Sequence, residues 1–407
     1  MKPERIQPAT LVSFAACVLF FTAASIAASA QVTVLHDFKD TDGATPNGSL
    51  LFDTNGNLYG TTMSGGSNNV GAVYTLTPSN GKWAEKVIHN FKDIDGSLPQ
   101  GGLVFDTNGN LFGTTTKGGT KSDGTVFKLI PNNGKWTEAV VHDFSGLDGS
   151  TPQSTLLFAT TGDIYGVTST GGAKNDGAVF ALVPSSDKWT ETVIHSFNGG
   201  DGGAPWGALI ADAKGNLYGT TSADGVNSAG TVFELVQSKG KWTEKVLYSF
   251  NSTNGDASTP YGALLADSNG NLYGTSSKGG ANGAGAVFEL TRGTEGGYTE
   301  SVLYSFLNNG SDGTAPWGGL VMDTSGNLWG TTSAGGSKGM GTIFELTSDG
   351  TGWLETVMHN FNVTSGATPY SGLILDTAGN LYGTTSAGGT NGKGIVFEFT
   401  PEGVTPR

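Results

Sequence analysis

Gly56-Asn57-Leu58-Tyr59-Gly60-Thr61-Thr62 is the stretch on which the reading of this chain turns, because it returns six more times. The copies are GNLFGTT (109–115), GDIYGVT (162–168), GNLYGTT (215–221), GNLYGTS (270–276), GNLWGTT (326–332) and GNLYGTT (379–385). Their central glycines are Gly60, Gly113, Gly166, Gly219, Gly274, Gly330 and Gly383, so the period is 53 to 56 residues. A fixed period of this length means a repeat architecture.

Around each copy lie four strand-like segments. In the first repeat they are 49–53, 58–62, 72–77 and 85–91, here called A, B, C and D. Each is rich in β-branched, leucine and aromatic residues, and Gly, Asn, Asp or Pro separates it from the next. The A–B link, Asp53-Thr54-Asn55-Gly56-Asn57, predicts a tight hairpin with positive φ at Asn-Gly. No sustained helical periodicity runs through the chain. Glycine, 66 of 407 residues, falls at the same places in every repeat and so marks turns rather than disorder. The fold predicted is all-β: a seven-bladed β-propeller with four antiparallel strands per blade. Residues 32–38 form a D-type strand with no A, B or C before it, and the last repeat has A, B and C without D. The N-terminal strand should therefore complete the last blade and close the ring, hiding two sheet edges.

Residues 1–30 read as an export signal: Lys2 and Arg5, an apolar run from Leu11 to Ala27, then Ala28-Ser29-Ala30. The expected organisation is a signal peptide at 1–30, one propeller domain at 31–400 and a short tail at 401–407. The expected location is outside the cytoplasm, extracellular or periplasmic, with no membrane span in the mature chain and a monomeric state. The single cysteine, Cys17, lies inside the signal, so thiol chemistry and disulfides are not expected. Taking 2 bases and 1 acid from the 21 and 35 of the whole chain leaves 19 against 34, a charge of −15. Such a surface repels phosphate backbones, and nucleic acid is not an expected partner.

The repeats resemble those of the secreted GloVer-containing family, named for its bacterial groups and described as having a choice of anchor. The matching core is GNLYGTTSAGG, as at 379–389, followed by GTIFEL at 341–346. The resemblance spans nearly all of 31–400. It implies an exported, surface-associated, propeller-like protein with no established chemistry. Residues 401–407 carry no apolar helix or sorting motif, a departure from the family's pattern. A looser likeness to kelch repeats rests on a glycine pair and a later tryptophan, here Gly118-Gly119 and Trp136.

With four strands per blade, the B–C and D–A connections share one face, called the top. The D–A loops follow the pattern Asp-Gly-x-x-Pro-x-Gly. After the proline stand Asn47, Gln100 and Gln153 in three repeats, then Trp206, Tyr261, Trp317 and Tyr370 in the next four. Directly preceding the innermost strand, all seven should ring the mouth of the central channel. Four aromatics beside three amides suit an amphipathic ligand such as a sugar, although they also suit packing against proline. The aspartates of these loops, Asp42, Asp95, Asp148, Asp201 and Asp312, with Asp256 nearby, form an acidic rim or simply repeat the turn chemistry of Asp-Gly.

His36, His89, His142, His195 and His359 share one strand-D position, with Tyr248 and Tyr304 in the other two repeats. Equivalent residues spread around a ring read as hydrogen-bonded packing, with strand-B threonines as the expected partners. The Asp-x-Asn-Gly-Asn turns lack the distal Glu of a calcium loop, so no metal site and no cofactor is expected. The one GxSxG match, Gly335 to Gly339, has no strand-to-helix elbow. Only Arg292 among residues 31–400 could clamp a carboxylate. The function expected is a non-catalytic binding or scaffold propeller that recognises glycans or a cell-surface protein through its top loops. The alternative is a carbohydrate-active lyase or glycoside hydrolase on the same face, since two suitably spaced carboxylates would suffice.

Overall fold

The structure, a computed structural model, describes residues 30–186 and 188–402. The expected export signal, except its last residue, and most of the expected tail lie outside the described residues. The chain forms seven four-stranded antiparallel blades. In the first blade A is Leu51–Phe52, B is Leu58–Thr62, C is Ala72–Ser79 and D is Lys82–Asn90. The seventh has A at Ile374–Leu375, B at Leu381–Thr385 and C at Ile395–Thr400. Its outer strand is Gln31–Asp37, paired antiparallel from Gln31 against Thr400 to Asp37 against Ile395. The ring closes as the repeat phase predicts.

The central glycine of the motif has a steric cause. A Cβ on Gly113 would stand 2.6 Å from Cζ of Phe127 on strand C, and one on Gly219 would stand 2.6 Å from Cζ of Phe233. Every blade repeats this contact, with Tyr74 taking the phenylalanine position in the first. The tip of the strand-C ring reaches the strand-B backbone, and only glycine leaves that space. Strand B itself, flanked on both faces, is buried throughout in the first blade.

The apolar core is divided among seven clusters, one per blade junction. Between blades one and two, Tyr59, Val73 and Phe91 pack on Leu103, Leu111, Phe127 and Leu129. At the closing junction Phe38, Tyr382 and Val396 pack on Leu50, Leu58, Tyr74 and Leu76. Each fully buried phenylalanine contributes roughly 1.5–3 kcal/mol through removal from water. Stability is thus assembled junction by junction, with the termini joined at one of them.

Two local expectations are corrected. Strand A is two residues long rather than five, because the chain before it is drawn against the neighbouring blade: a Cβ on Gly48 would meet Gly101 O at 2.6 Å. The A–B turn carries positive φ at Gly56 but not at Asn55. Asp53 N donates to Asn57 O and Gly56 N to Asp53 O, which makes a three-residue hairpin ending in a left-handed glycine.

Candidate functional site

The channel mouth is built by the D–A loops, and a strained residue aims each of them. Thr45, Leu98, Thr151, Ala204, Thr259, Ala315 and Thr368 each precede the loop proline, and all have φ between 50° and 60°. A left-handed backbone at a non-glycine residue costs energy and persists only where neighbours hold it. Here the holding bonds come from two blades. Leu98 N donates to Val70 O of the preceding blade at 2.9 Å, while Leu98 O accepts from Thr116 N of its own at 3.3 Å. The amide or aromatic two residues later is thereby fixed toward the axis.

Strand-B threonines tie the next layer together. Thr61 Oγ1 donates to Gly101 O at 3.0 Å, Thr114 to Ser154 O at 3.1 Å, Thr275 to Gly318 O at 2.8 Å and Thr331 to Ser371 O at 3.2 Å. Thr384 reaches Gly48 O at 3.5 Å across the closing junction. The third blade substitutes Val167, which joins the apolar core instead.

These layers surround a cavity of about 420 Å³ lined by equivalent residues from all seven blades. Asn47, Gln100, Gln153, Trp206, Tyr261, Trp317 and Tyr370 all line it, and among the described residues no Asp, Glu, His, Lys or Arg does. The aromatic half is packed on itself. Tyr261 and Trp317 stack at 4.0 Å and 5°, Trp206 meets Tyr261 edge-on at 5.1 Å, and Tyr370 meets Trp317 edge-on at 5.3 Å. All four remain partly exposed. Burial pushes the Tyr261 hydroxyl above its ordinary pKa.

The amide half carries unmet polar capacity. Gln153 is 7% exposed and Ser154 4%, and Gln153 Nε2 and Ser154 Oγ are buried without a hydrogen-bond partner. Asn47 Oδ1 is likewise unpaired, its Nδ2 reaching only Met63 Sδ at 3.5 Å.

The acidic rim lies elsewhere. Asp42, Asp95, Asp148 and Asp201 close their own loops by accepting the N–H three residues earlier, at 2.8 to 3.0 Å. Their second oxygens turn to strand D. Asp148 is hydrogen-bonded to His142 Nε2 at 3.1 Å. In the pairs His36–Asp42, His89–Asp95 and His195–Asp201 the atoms stand 3.3, 3.5 and 3.2 Å apart at more oblique angles. Tyr248 donates to Asp256 at 3.0 Å and Tyr304 to Asp312 at 2.9 Å. Four of the five histidines thus find loop aspartates rather than strand-B threonines. A β-bulge just before each one explains the change: Val73 pairs His89 but Tyr74 pairs Val87, so Ile88 is extruded and the next side chain is re-aimed.

A glutamate from the following blade completes each of these junctions. Burial, then the nearby aspartate, raises the carboxyl of Glu85, Glu138, Glu191, Glu244, Glu300 and Glu355 to about 7. Burial lowers the histidines, and the aspartate opposes that shift. His359 shows the balance. Its partner is Ser365 Oγ at 3.2 Å, not a carboxylate, and burial takes it down to about 4. In three junctions, His36/Asp42/Glu85, His142/Asp148/Glu191 and His195/Asp201/Glu244, one donor atom from each residue lies within 4.8 Å of the others, a set able to hold a divalent cation. Tyr248 and Tyr304 make the same aspartate contact without a ring nitrogen, so hydrogen bonding is what these histidine and tyrosine junctions share.

The turns that superficially suggest calcium are self-satisfied. Asp53 Oδ1 accepts from Asn55 N and Asn57 N, and its Oδ2 from Asn57 Nδ2 at 2.7 Å. Among the described residues no helix is long and apolar enough to cross a membrane.

A family model described as the Gloeobacter/Verrucomicrobia repeat matches residues 20–163, 137–306 and 292–406. No curated protein matches. Among solved structures the fold is similar to the extracellular domain of a protein assigned to a hybrid two-component system of B. thetaiotaomicron. The identity is 12% and the TM-score 0.59, over 90% of this chain and 39% of that one. It is also similar to a protein from Bacteroides fragilis assigned as a 6-phosphogluconolactonase, at 16% identity and TM-score 0.55, over 82% and 88% of the two chains. The chain spans about two fifths of the first of these.

Proposed function

We propose that this chain, which belongs to the Gloeobacter/Verrucomicrobia repeat family, is an exported binding propeller that takes its ligand, a glycan or a cell-surface protein, at the channel mouth. One observation carries the reading. The seven equivalent mouth positions split into a continuous aromatic half and an amide half around an uncharged cavity. The ring packed on the strand-B glycine stays aromatic in every copy, as phenylalanine or Tyr74, whereas the mouth position changes chemical class. A rigid aromatic patch beside a few polar groups is the usual composition of a ligand site. Ring-on-ring contacts preorganise it, so little ordering is lost on binding.

The lining supplies no carboxylate pair, which favours recognition over glycoside cleavage at this place. Export and a monomeric state belong to the same reading. The test is a screen of glycans and candidate surface proteins against the full chain and the double variant Trp206→Gln/Trp317→Gln. The expected result is a ligand retained by the wild type and lost by the variant. A ligand bound equally by both would move the site off the mouth.

A further inference from the structure

We propose that the channel mouth binds a neutral pyranose sugar, its C–H face on the aromatic crescent and its hydroxyls on the amide arc. The inference rests on the channel-mouth reading above and commits it to one ligand class.

Three features select that class. The first is charge. Among the described residues no Asp, Glu, His, Lys or Arg lines the cavity, so a uronate, phosphate or sialyl group would be desolvated there with no charged partner. The net charge of −14 for the whole chain further disfavours anionic ligands. The second is polarity. Gln153 Nε2 is a donor, Asn47 Oδ1 an acceptor and Ser154 Oγ either; all three lack partners and lie just beneath the lining surface, so a ligand meets them after a side-chain rotation. An unsatisfied buried polar group is costly, and a ligand able both to donate and to accept would relieve that cost. Adjacent sugar hydroxyls do both. The third is shape. The polar atoms stand on one side of the axis and Trp206, Tyr261, Trp317 and Tyr370 on the other, so the ligand must be amphipathic across its own width.

The volume adds a limit. At about 420 Å³ the cavity lies at the small end of ligand sites. It suits a mono- or disaccharide unit at a chain end rather than a polymer lying along a groove.

The experiment is calorimetric titration of the full chain with neutral disaccharides (cellobiose, maltose, lactose, xylobiose, mannobiose) and with digalacturonate as the charged control. It is repeated on Gln153→Met, Ser154→Ala and Trp206→Gln/Trp317→Gln, each checked by thermal melt. The expected result is millimolar or tighter binding of at least one neutral disaccharide and none of digalacturonate. Gln153→Met, which keeps length but removes the amide, should weaken binding about tenfold, as should the tryptophan variant. Absence of binding by every neutral disaccharide at about 10 mM, well above a millimolar Kd, overturns the sugar assignment. If a protein ligand from the surface-protein screen is lost in the tryptophan variant, the mouth reading survives that failure. A sugar bound equally by wild type and all variants overturns both. Should the tryptophan variant fail to fold, Gln153→Met and Ser154→Ala still decide.

Discussion

The channel mouth and the blade junctions are built from the same seven repeats but treat their symmetry in opposite ways. At six of the seven junctions the pattern is kept and charged: a histidine or tyrosine on strand D, an aspartate from its loop and a glutamate from the next blade; at the remaining one His359 bonds Ser365 instead. At the mouth the pattern is broken and uncharged, with Asn47, Gln100 and Gln153 facing four consecutive aromatics. Even the junction's variations preserve its chemistry, because Tyr248 and Tyr304 make the aspartate contact that the histidines make. Where a position holds the ring together, the substitutions conserve a bond. The mouth substitutions conserve none.

The largest effect should follow from opening a junction. A chain beginning after Phe38 loses the outer strand of the last blade and the buried Phe38 ring, 5.0 Å from Tyr74. Strand Ile395–Thr400 becomes an exposed edge. Aggregation or loss of the cooperative melt is expected, read by size-exclusion chromatography and calorimetry. An unchanged Tm in a monomeric truncation would break the ring topology.

Next in size is the motif glycine. Gly219→Ala places a methyl 2.6 Å from Phe233 in a fully packed blade. Overpacking of this kind costs about 1–3 kcal/mol or more, measured by urea denaturation. Gly215→Ala four residues earlier meets nothing within 4 Å but forces alanine to φ of 82°. It should cost less, about 1 kcal/mol, by backbone strain alone.

The junction charges predict a smaller, signed effect of pH. Glu191, at about 7 in the folded chain against an ordinary 4.5, keeps a proton that the unfolded chain releases. Its contribution is full below 4.5 and lost as pH rises through about 7. His195 acts oppositely, because burial lowers it: its contribution is present above 6.5 and lost as pH falls. With six raised glutamates, melts should move down between pH 6 and 8. Glu191→Gln should reduce that slope, by less than about 1 kcal/mol after allowing for solvent around a half-buried group. A slope that the substitution leaves untouched would mean that other groups titrate. Smallest of all is the effect of EDTA. If the triads serve as hydrogen-bonded junctions, chelation leaves Tm in place, whereas a fall of several degrees would show that they are loaded with cation.

Blade count, ring closure and the membership of the mouth were legible in the sequence, because each repeats at a fixed phase and repetition outweighs any local ambiguity. The left-handed residues before proline were not. A pre-proline Leu98 or Thr45 favours extended backbone on its own, and only hydrogen bonds from two blades reverse that preference. The histidine partners were hidden for a related reason. A bulge at Ile88 changes which way His89 points, and nothing in Val87-Ile88-His89 marks a bulge. The glutamates were missed because their environment is made by the neighbouring blade, 43 residues away in the pair Asp42 and Glu85. The only trace was a repeated Trp-x-Glu on strand D, as in Trp83-Ala84-Glu85.

The most direct test sets one mouth variant against one junction variant with the same ligand. His195→Tyr repeats a change the chain itself makes at Tyr248 and Tyr304, while Trp206→Gln/Trp317→Gln repeats the amide found at Gln100 and Gln153. Both therefore use residue types the fold already accepts at equivalent positions. Titration of the glycan or surface protein found by screening should give unchanged affinity in His195→Tyr. In the tryptophan variant it should fall at least about tenfold, as for loss of aromatic anchors. The reverse pattern, binding lost at the junction and kept at the mouth, would contradict the account.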